Sequence, residues 1–377
     1  MKIIHLSDLH IGKRVCDCSL IEDQEFILNS ILEIIKEESP DAVIIAGDVY
    51  DKPIPTAEAI RLLDNFIFAL SEMDLHTFII SGNHDSPERL SFGSRIMSSS
   101  GIHISSVYNG ETLPITLHDD YGEVDFYLLP FIKPAMVRRF FDTELTDYNS
   151  AVKAAVGRMK IDSSKRNVIV THQFVTGSIC DSEELSVGGT ENVDSEVFDE
   201  FDYVALGHIH RPQNVGDKKI RYCGTPLKYS ISEIGQKKSL TVVELQEKGE
   251  LSVQTIPLKP MREMREYKMP FAELTDKNFY DTINTNDYIV ATLTDEIDIP
   301  DAVKTLQQIF PNLVKMRYDN SRTNNISVIH AENSTEKLPP EILFEKFYEQ
   351  QNNHSMTDEQ REFINKIVQE IWGEILL

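Results

Sequence analysis

An α/β fold with sheets covered on both faces, then a smaller α/β module and terminal helices, is predicted by three observations in this sequence. Over about the first 250 residues, β-branched apolar runs alternate with segments of helical periodicity. The stretch "PLKPMREMREYK", 257 to 268, is polar, holds two prolines and reads as a linker. Beyond it, a strand, helix, strand pattern precedes two helix-like stretches. Strands that are apolar throughout, with helices between them, are buried on both faces.

The elements follow in order. "KIIHLSD" is a strand that ends in polar residues. "DQEFILNSILEIIKEE" sets Phe26, Ile27, Ile31, Ile34 and Ile35 at helical spacing, and Pro40 closes it. Next come "DAVIIAGD" as a strand, "TAEAIRLLDNFIFALSEM" as a helix, and strands at "HTFIISGNHD", "VDFYLLPF", "RNVIVTHQF", "DYVALGHIH" and "SLTVVEL". After the linker, "DYIVATL", "IPDAVKTLQQIF" and "LVKMRYD" give strand, helix and strand. "PPEILFEKFYEQQNN" and "SMTDEQREFINKIVQEIWGEILL" are helices, with Ser355 or Thr357 as the N-cap of the second.

Composition narrows the function classes. With 377 residues, 41% hydrophobic and 26% charged, the chain can bury a large core in two or three domains. No apolar run approaches the length needed to span a bilayer, and Ser7, Asp8 and His10 interrupt the N-terminal run before a signal-peptide core could form. The cytoplasm is the expected compartment. Cys16, Cys18, Cys180 and Cys223 are too few and scattered for a disulfide framework, and no second pair completes a zinc site with "CDC". A net charge of −24 argues against holding nucleic acid by charge alone. It leaves open an enzyme that grips phosphodiesters through bound cations, or one that takes its basic surface from a partner.

The chemistry lies at the strand ends. One strand closes in Asp8 and His10, another in Asp48, a third in Asn83, His84 and Asp85; later ones close in His172 and in His208 with His210. Ligands of α/β sheets bind at the carboxyl ends of strands, so residues scattered over 200 positions can converge. Carboxylate, amide and imidazole donors together suit manganese, iron or zinc. A carboxylate bridging two ions about 3.5–4 Å apart would let the pair bind a phosphate and an attacking hydroxide, and Asp48 is the candidate bridge. Gly47, Gly82 and Gly207 precede Asp48, Asn83 and His208. Each could merely start a turn, but three in the same relation to three candidate ligands suit one crowded site.

In this order "DLH", "GD", "GNHD", "TH" and "GHIH" resemble the signature of the calcineurin-like metallophosphoesterases. "PDAVIIAGDVYDKPIPTAEAI", "DYVALGHIHRPQ" and "IRYCGTPLKYSISE" narrow the resemblance to the bacterial SbcD nuclease family. It implies a two-sheet sandwich flanked by helices over 1–258, a DNA-capping α/β domain over 270–335, and helices over 338–377 that dock on the SbcC ATPase. It implies two divalent ions, most suitably Mn²⁺. One would be held by Asp8, His10, Asp48 and His210, the other by Asp48, Asn83, His172 and His208. His84 would touch the scissile phosphate or protonate the leaving oxygen, and Asp85 would orient His84. Some relatives carry a second catalytic histidine where this chain has Asp51.

The expected activity is a metal-dependent DNA nuclease. The family implies 3′ to 5′ exonuclease action on duplex ends and endonuclease action on single strands and hairpins, with SbcC supplying ATP-driven opening and a homodimer of nuclease chains expected. A phosphoesterase for small or protein substrates and a non-catalytic scaffold are the rivals. His5 points away from Asp8 by strand alternation and is expected to be structural, whereas His76, His103, His118, His330 and His354 are expected on the surface. Lys133, Arg138 and Arg139 either track a DNA backbone or form a solvated helix start. The tail, with ten acidic and four basic residues from 331 to 377, carries Phe344, Phe347, Phe363 and Trp372 either in a helical hairpin packed on its own domain or as an apolar face for a partner helix, and the family resemblance favours the partner.

Overall fold

The computed structural model describes residues 1–141, 145–180, 191–216, 219–321, 340–352 and 355–373. It divides into two units, Met1–Glu263 and Met264–Leu377.

The first unit opens with β1 (Lys2–Leu6), α1 (Ile21–Glu38), β2 (Ala42–Ala46), α2 (Ala57–Ser71), β3 (His76–Ile80) and β4 (Ile102–Ile104). These four strands pair in parallel. Then β5 (Pro114–Asp119), β6 (Gly122–Leu129), α3 (Tyr148–Gly157), β7 (Arg166–His172), β8 (Tyr203–Gly207), β9 (Gln213–Asn214) and β10 (Ile220–Tyr222) supply the second sheet. The hairpin of β11 (Ser239–Leu245) and β12 (Leu251–Pro257) returns to the first, antiparallel to β1. The sheet orders are β12-β11-β1-β2-β3-β4 and β9-β10-β8-β7-β6-β5.

Alternate residues of both sheets meet in one core: Ile3, Ile44, Phe78 and Ile80 from the first, Phe126, Val168, Val170 and Ala205 from the second. Phe78 and Phe126 stack across it with ring centroids 4.3 Å apart. The intervening residues Ile4, Val43 and Ile45 are as fully buried, so helices must cover the outer faces. Right-handed crossovers place α1 and α2 together on the outside of the first sheet.

In α1 the buried stripe is Ile27, Leu28, Ile31, Leu32 and Ile35. Phe26, expected in it, is 42% exposed, because 100° of helical turn separates it from Ile27. β4, β5, β9, β10, β12 and α3 are elements the sequence reading lacked. β5 and β12 lie at sheet edges with mostly half-buried residues, which blurs the apolar signal.

The second unit is a parallel sheet of β13 (Met264–Met269), β14 (Tyr288–Leu293) and β15 (Leu313–Tyr318), with α4 (Ala302–Ile309) in the crossover. Ile289, Ala291, Leu293, Leu306 and Phe310 form its core. Half of the expected linker is therefore strand: β13 is an edge strand whose exposed Arg265, Glu266 and Lys268 disguise it as loop. The boundary falls between residues 263 and 264.

Helices α5 (Pro340–Asn352) and α6 (Asp358–Gly373) follow. Thr357 is the N-cap of α6, its hydroxyl accepting from Gln360 N at 3.3 Å while Gln360 Oε1 accepts from Thr357 N at 3.0 Å, a capping box. Ile342, Phe344, Phe347 and Phe363 are exposed. The Trp372 side chain, His330, His354 and residues 322–335 of the expected capping domain lie outside the described residues. No helix among the described residues is long and apolar enough to cross a membrane.

Candidate metal centre

Five strands, β1, β2, β3, β7 and β8, end at one place. Beyond β1 the chain runs along the loop after β2: Asp8 N donates to Gly47 O at 3.0 Å, His10 N to Asp48 O at 2.9 Å and Ile11 N to Val49 O at 2.9 Å. His208 N, arriving from β8, donates to Asp8 Oδ1 at 3.0 Å. These turns are strained. Asp8, His10, Asp48 and His208 hold φ of 51°, 43°, 47° and 102°, four of the seven described non-glycine residues with positive φ. Such backbone costs of order 1–3 kcal/mol per residue and clusters at functional sites.

The three glycines have a specific steric reason. A Cβ on Gly47 would lie 2.4 Å from His172 Nδ1, one on Gly82 2.1 Å from Asp48 Oδ1, and one on Gly207 1.9 Å from Ala46 O. Any side chain there would push a candidate ligand out of place.

The donor atoms form two groups joined at Asp48. In one, His10 Nε2 and His210 Nε2 lie 3.2 Å apart, with Asp48 Oδ2 3.6 Å from His10 Nε2. In the other, Asn83 Oδ1 lies 3.0 Å from both His172 Nε2 and His208 Nδ1, and the same Asp48 oxygen lies 3.4 Å from His172 Nε2. Asp48 Oδ1 is occupied by the backbone N–H of His84 at 2.8 Å. Asp8 stands among both, its Oδ1 3.9 Å from His172 Nε2, and donor sets Asp8/His10/His210 and Asp8/Asp48/His172 could each hold an ion. The structure thus brings together all seven expected ligands.

Protons alone leave this basin poorly satisfied. Burial pushes the Asp8 carboxyl up and the His10 imidazole well below its usual value. It also lowers His208 to about 3. Burial works against an ionised Asp48, yet His172 beside it holds that carboxyl far below the usual range, and against burial Asp48 raises His172 to about 9. The two buried carboxylates therefore draw positive charge to the Nε2 side of His172. Neutral imidazoles point lone pairs at the same space, which is the donor chemistry a divalent cation needs.

Behind the donors, hydrogen bonds fix each ring. His172 Nδ1 donates to Ala46 O at 2.8 Å and His210 Nδ1 to Glu233 Oε1 at 3.0 Å, which turns Nε2 of each ring toward the other donors. Gln24 Nε2 donates to His10 O at 2.8 Å, and Tyr229 OH donates to Leu9 O. Asp85 has other partners than expected. Its carboxylate accepts from the backbone N–H of Val49, Tyr50 and Gly82 at 3.0, 2.9 and 2.9 Å, so it pins the Asp48 and Asn83 loops together. The His84 ring is oriented by the Asp51 carbonyl, 2.9 Å from its Nδ1. Asp51's own carboxylate pairs with Lys13 at 3.0 Å.

Glu233, Lys238, Gln24 and Tyr229 escaped the sequence reading. Its one usable signal was "CGTPLKYSISE", whose stretch from Tyr229 to Glu233 lies directly behind the donors. His5 is buried and bonds Tyr203 OH at 2.8 Å, a structural residue. His76 and His103 are half-buried and pair at 3.3 Å, whereas His118 is exposed. Lys133, Arg138 and Arg139 are exposed, and Arg138 Nε donates to Leu145 O.

Comparison with known proteins agrees with this geometry. The family model described as calcineurin-like phosphoesterase matches residues 1–212, and that described as type 5 capsule protein repressor C-terminal domain matches 260–352. The SbcD chain of the SbcCD nuclease from Staphylococcus saprophyticus is 34% identical over 98% of both chains, and its namesake from Staphylococcus epidermidis is 32% identical over 98% of both. A solved dimetal phosphatase from Danio rerio aligns with 69% of this chain and 99% of its own at 12% identity and a TM-score of 0.39, too low to bear on the fold. With a phosphoesterase match across the donor-bearing strands and nuclease relatives aligned almost end to end, the chain belongs to the SbcD family of SbcCD nuclease components, within the calcineurin-like phosphoesterases.

Proposed function

We propose that the chain is a metal-dependent DNA nuclease: a 3′ to 5′ exonuclease on duplex ends and an endonuclease on single strands and hairpins, working with the SbcC ATPase in the cytoplasm. The carrying observation is the end-to-end alignment with relatives named as components of a nuclease, which extends through the second unit rather than stopping at the phosphoesterase unit. In this reading the α/β domain over 270–335 caps DNA, and the helices over 338–377, which include α5 and α6, dock on SbcC. A homodimer of nuclease chains is the assembly this reading expects.

Asp8, His10, Asp48 and His210 would hold one ion, and Asp48, Asn83, His172 and His208 the other, with Mn²⁺ the best match to the mixed oxygen and nitrogen donors. Bound there, the ions supply Lewis-acid charge for a phosphodiester and lower the pKa of water. The chain's own part is positioning and proton transfer. Because a carbonyl can only accept, His84 must donate from Nδ1 to Asp51 O, which leaves Nε2 as the ring atom free to act, and it would hand a proton to the departing sugar oxygen when the ring enters the step as imidazolium, protonated on both nitrogens. Asp85 holds the turn that aims His84.

The test is release of nucleotides from end-labelled duplex DNA with Mn²⁺, by the purified chain and with SbcC and ATP, beside His84→Ala. Loss of cleavage in the variant by roughly 10²–10⁴-fold is expected for a removed proton donor. Absence of cleavage under every condition, despite two bound ions, would instead favour a phosphoesterase of small or protein substrates.

A further inference from the structure

We infer that the buried Glu233–Lys238 ion pair is a positioning clamp that sets the ion affinity of the half-site built on His10 and His210, independently of the half-site built on His172 and His208. The inference rests on the two-ion reading above and goes beyond its ligand set.

Glu233 and Lys238 side chains are 1% and 4% exposed. Glu233 Oε1 accepts from His210 Nδ1 at 3.0 Å, while Oε2 accepts from Lys238 Nζ and from Thr225 Oγ1 at 3.3 Å. Lys238 Nζ donates in turn to His210 O at 2.9 Å and to Gln236 Oε1 at 2.7 Å. One ion pair therefore grips His210 at both ends, the carboxylate at the ring and the ammonium at the backbone carbonyl. Gly224 lies against the same carbonyl, where a Cβ would come within 2.6 Å of His210 O.

The chemical effect follows from what a carboxylate does to an imidazole. It fixes the proton on Nδ1, aims the Nε2 lone pair, and makes that nitrogen a stronger donor. Other rings of the centre are not so equipped. His172 donates to a neutral carbonyl, and His10 Nδ1 has no hydrogen-bond partner among the described residues, the nearest carboxylate oxygen, Asp51 Oδ1, lying 3.8 Å away. The anion behind His210 thus distinguishes its half-site from the one built on His172. A buried ion pair is also a poor source of stability, since an apolar pair of like shape often does as well. Its geometry around His210 gives it a use that stability does not.

The experiment is calorimetric titration of the metal-stripped full-length chain with Mn²⁺, for the parent, for Glu233→Gln, and for Glu233→Gln with Lys238→Met, which removes both charges together. Two ions are expected in the parent. In both variants one site should weaken by about 10–100-fold, the cost typical of a lost partner behind a ligand. The other should stay within about twofold, and the metal-free melting temperature of the double variant should stay close to the parent's. On a His208→Ala background the Glu233→Gln change should still weaken the remaining ion, and on a His10→Ala background it should not. Unchanged affinities, or two sites weakened together, would overturn the clamp. A parent that binds fewer than two ions would overturn the two-ion reading itself.

Discussion

Gly82 shows how much of the site a single residue decides. Its missing Cβ would lie 2.1 Å from Asp48 Oδ1 and 2.4 Å from Asp48 N, so Gly82→Ala must displace the backbone that carries the carboxylate shared by both donor groups. We expect this one methyl to cost roughly 1–3 kcal/mol and to weaken Mn²⁺ binding at both half-sites. Gly157→Ala is the control, because that glycine closes α3 with nothing within 4 Å of an added Cβ, and it should be neutral or stabilise by about 0.4–1 kcal/mol. Thermal melts with a metal titration separate the two, and a Gly82→Ala protein that binds both ions normally would contradict the steric account. At this scale the sequence was legible where residue type alone carries the chemistry: all seven expected ligands face one another. It was silent on Glu233, because a glutamate in a serine-rich stretch looks like surface until the fold seats it under His210. It could not show through which atoms Asp85 acts, because its three bonds run to backbone N–H groups that have no sequence signature.

The same contrast holds for elements. Apolar periodicity located α1 but not its exact face, and the difference is measurable. Ile31 is fully buried, whereas Phe26 is 42% exposed, so Ile31→Ala should cost about 2–5 kcal/mol and Phe26→Ala well under half of that. Chemical denaturation of the two variants decides it, and equal losses would mean that Phe26 belongs to the buried stripe after all. Continuous central strands such as Ala42–Ala46 were legible because every residue is apolar and buried. Edge strands were not. In Met264–Met269, Glu266 and Lys268 on one face and Arg265 at the start of the other are exposed, and these three charged residues imitate a linker. Turn chemistry left Ser355 and Thr357 open as caps, and the reciprocal bonds with Gln360 chose Thr357.

Across the whole phosphoesterase unit, the donor-bearing strand ends have a counterpart at the far end of the sandwich. Arg166 begins β7 and His172 ends it, roughly 20 Å away at the usual strand rise. Arg166 is 2% exposed and ties the two sheets together: it donates to the Asp119 carboxylate and Gly122 O of the second sheet and to Leu245 O and Gln246 O at the end of β11 in the first. Nothing in the sequence marked it, since an arginine opening a strand reads as solvated until the two sheets close over it. Burial opposes ionisation of Asp119, but the bonds from Arg166, from the N-terminal ammonium of Met1 at 2.6 Å and from Tyr121 N together outweigh it and hold that carboxyl well below its ordinary value of 3.8. Because folding lowers this pKa, the stabilisation is complete above that ordinary value and fades as pH falls toward the folded one. Asp119→Asn should therefore lower the melting temperature at pH 7, and the gap between variant and parent should narrow steadily as pH is lowered below about 4. The charge-assisted bonds at stake are worth about 1.5–3 kcal/mol each in favourable settings, and the partial exposure of Asp119 puts the expected loss at the lower end. A gap that stays constant with pH would place the stabilising charge elsewhere and leave Arg166 held by its carbonyl partners alone.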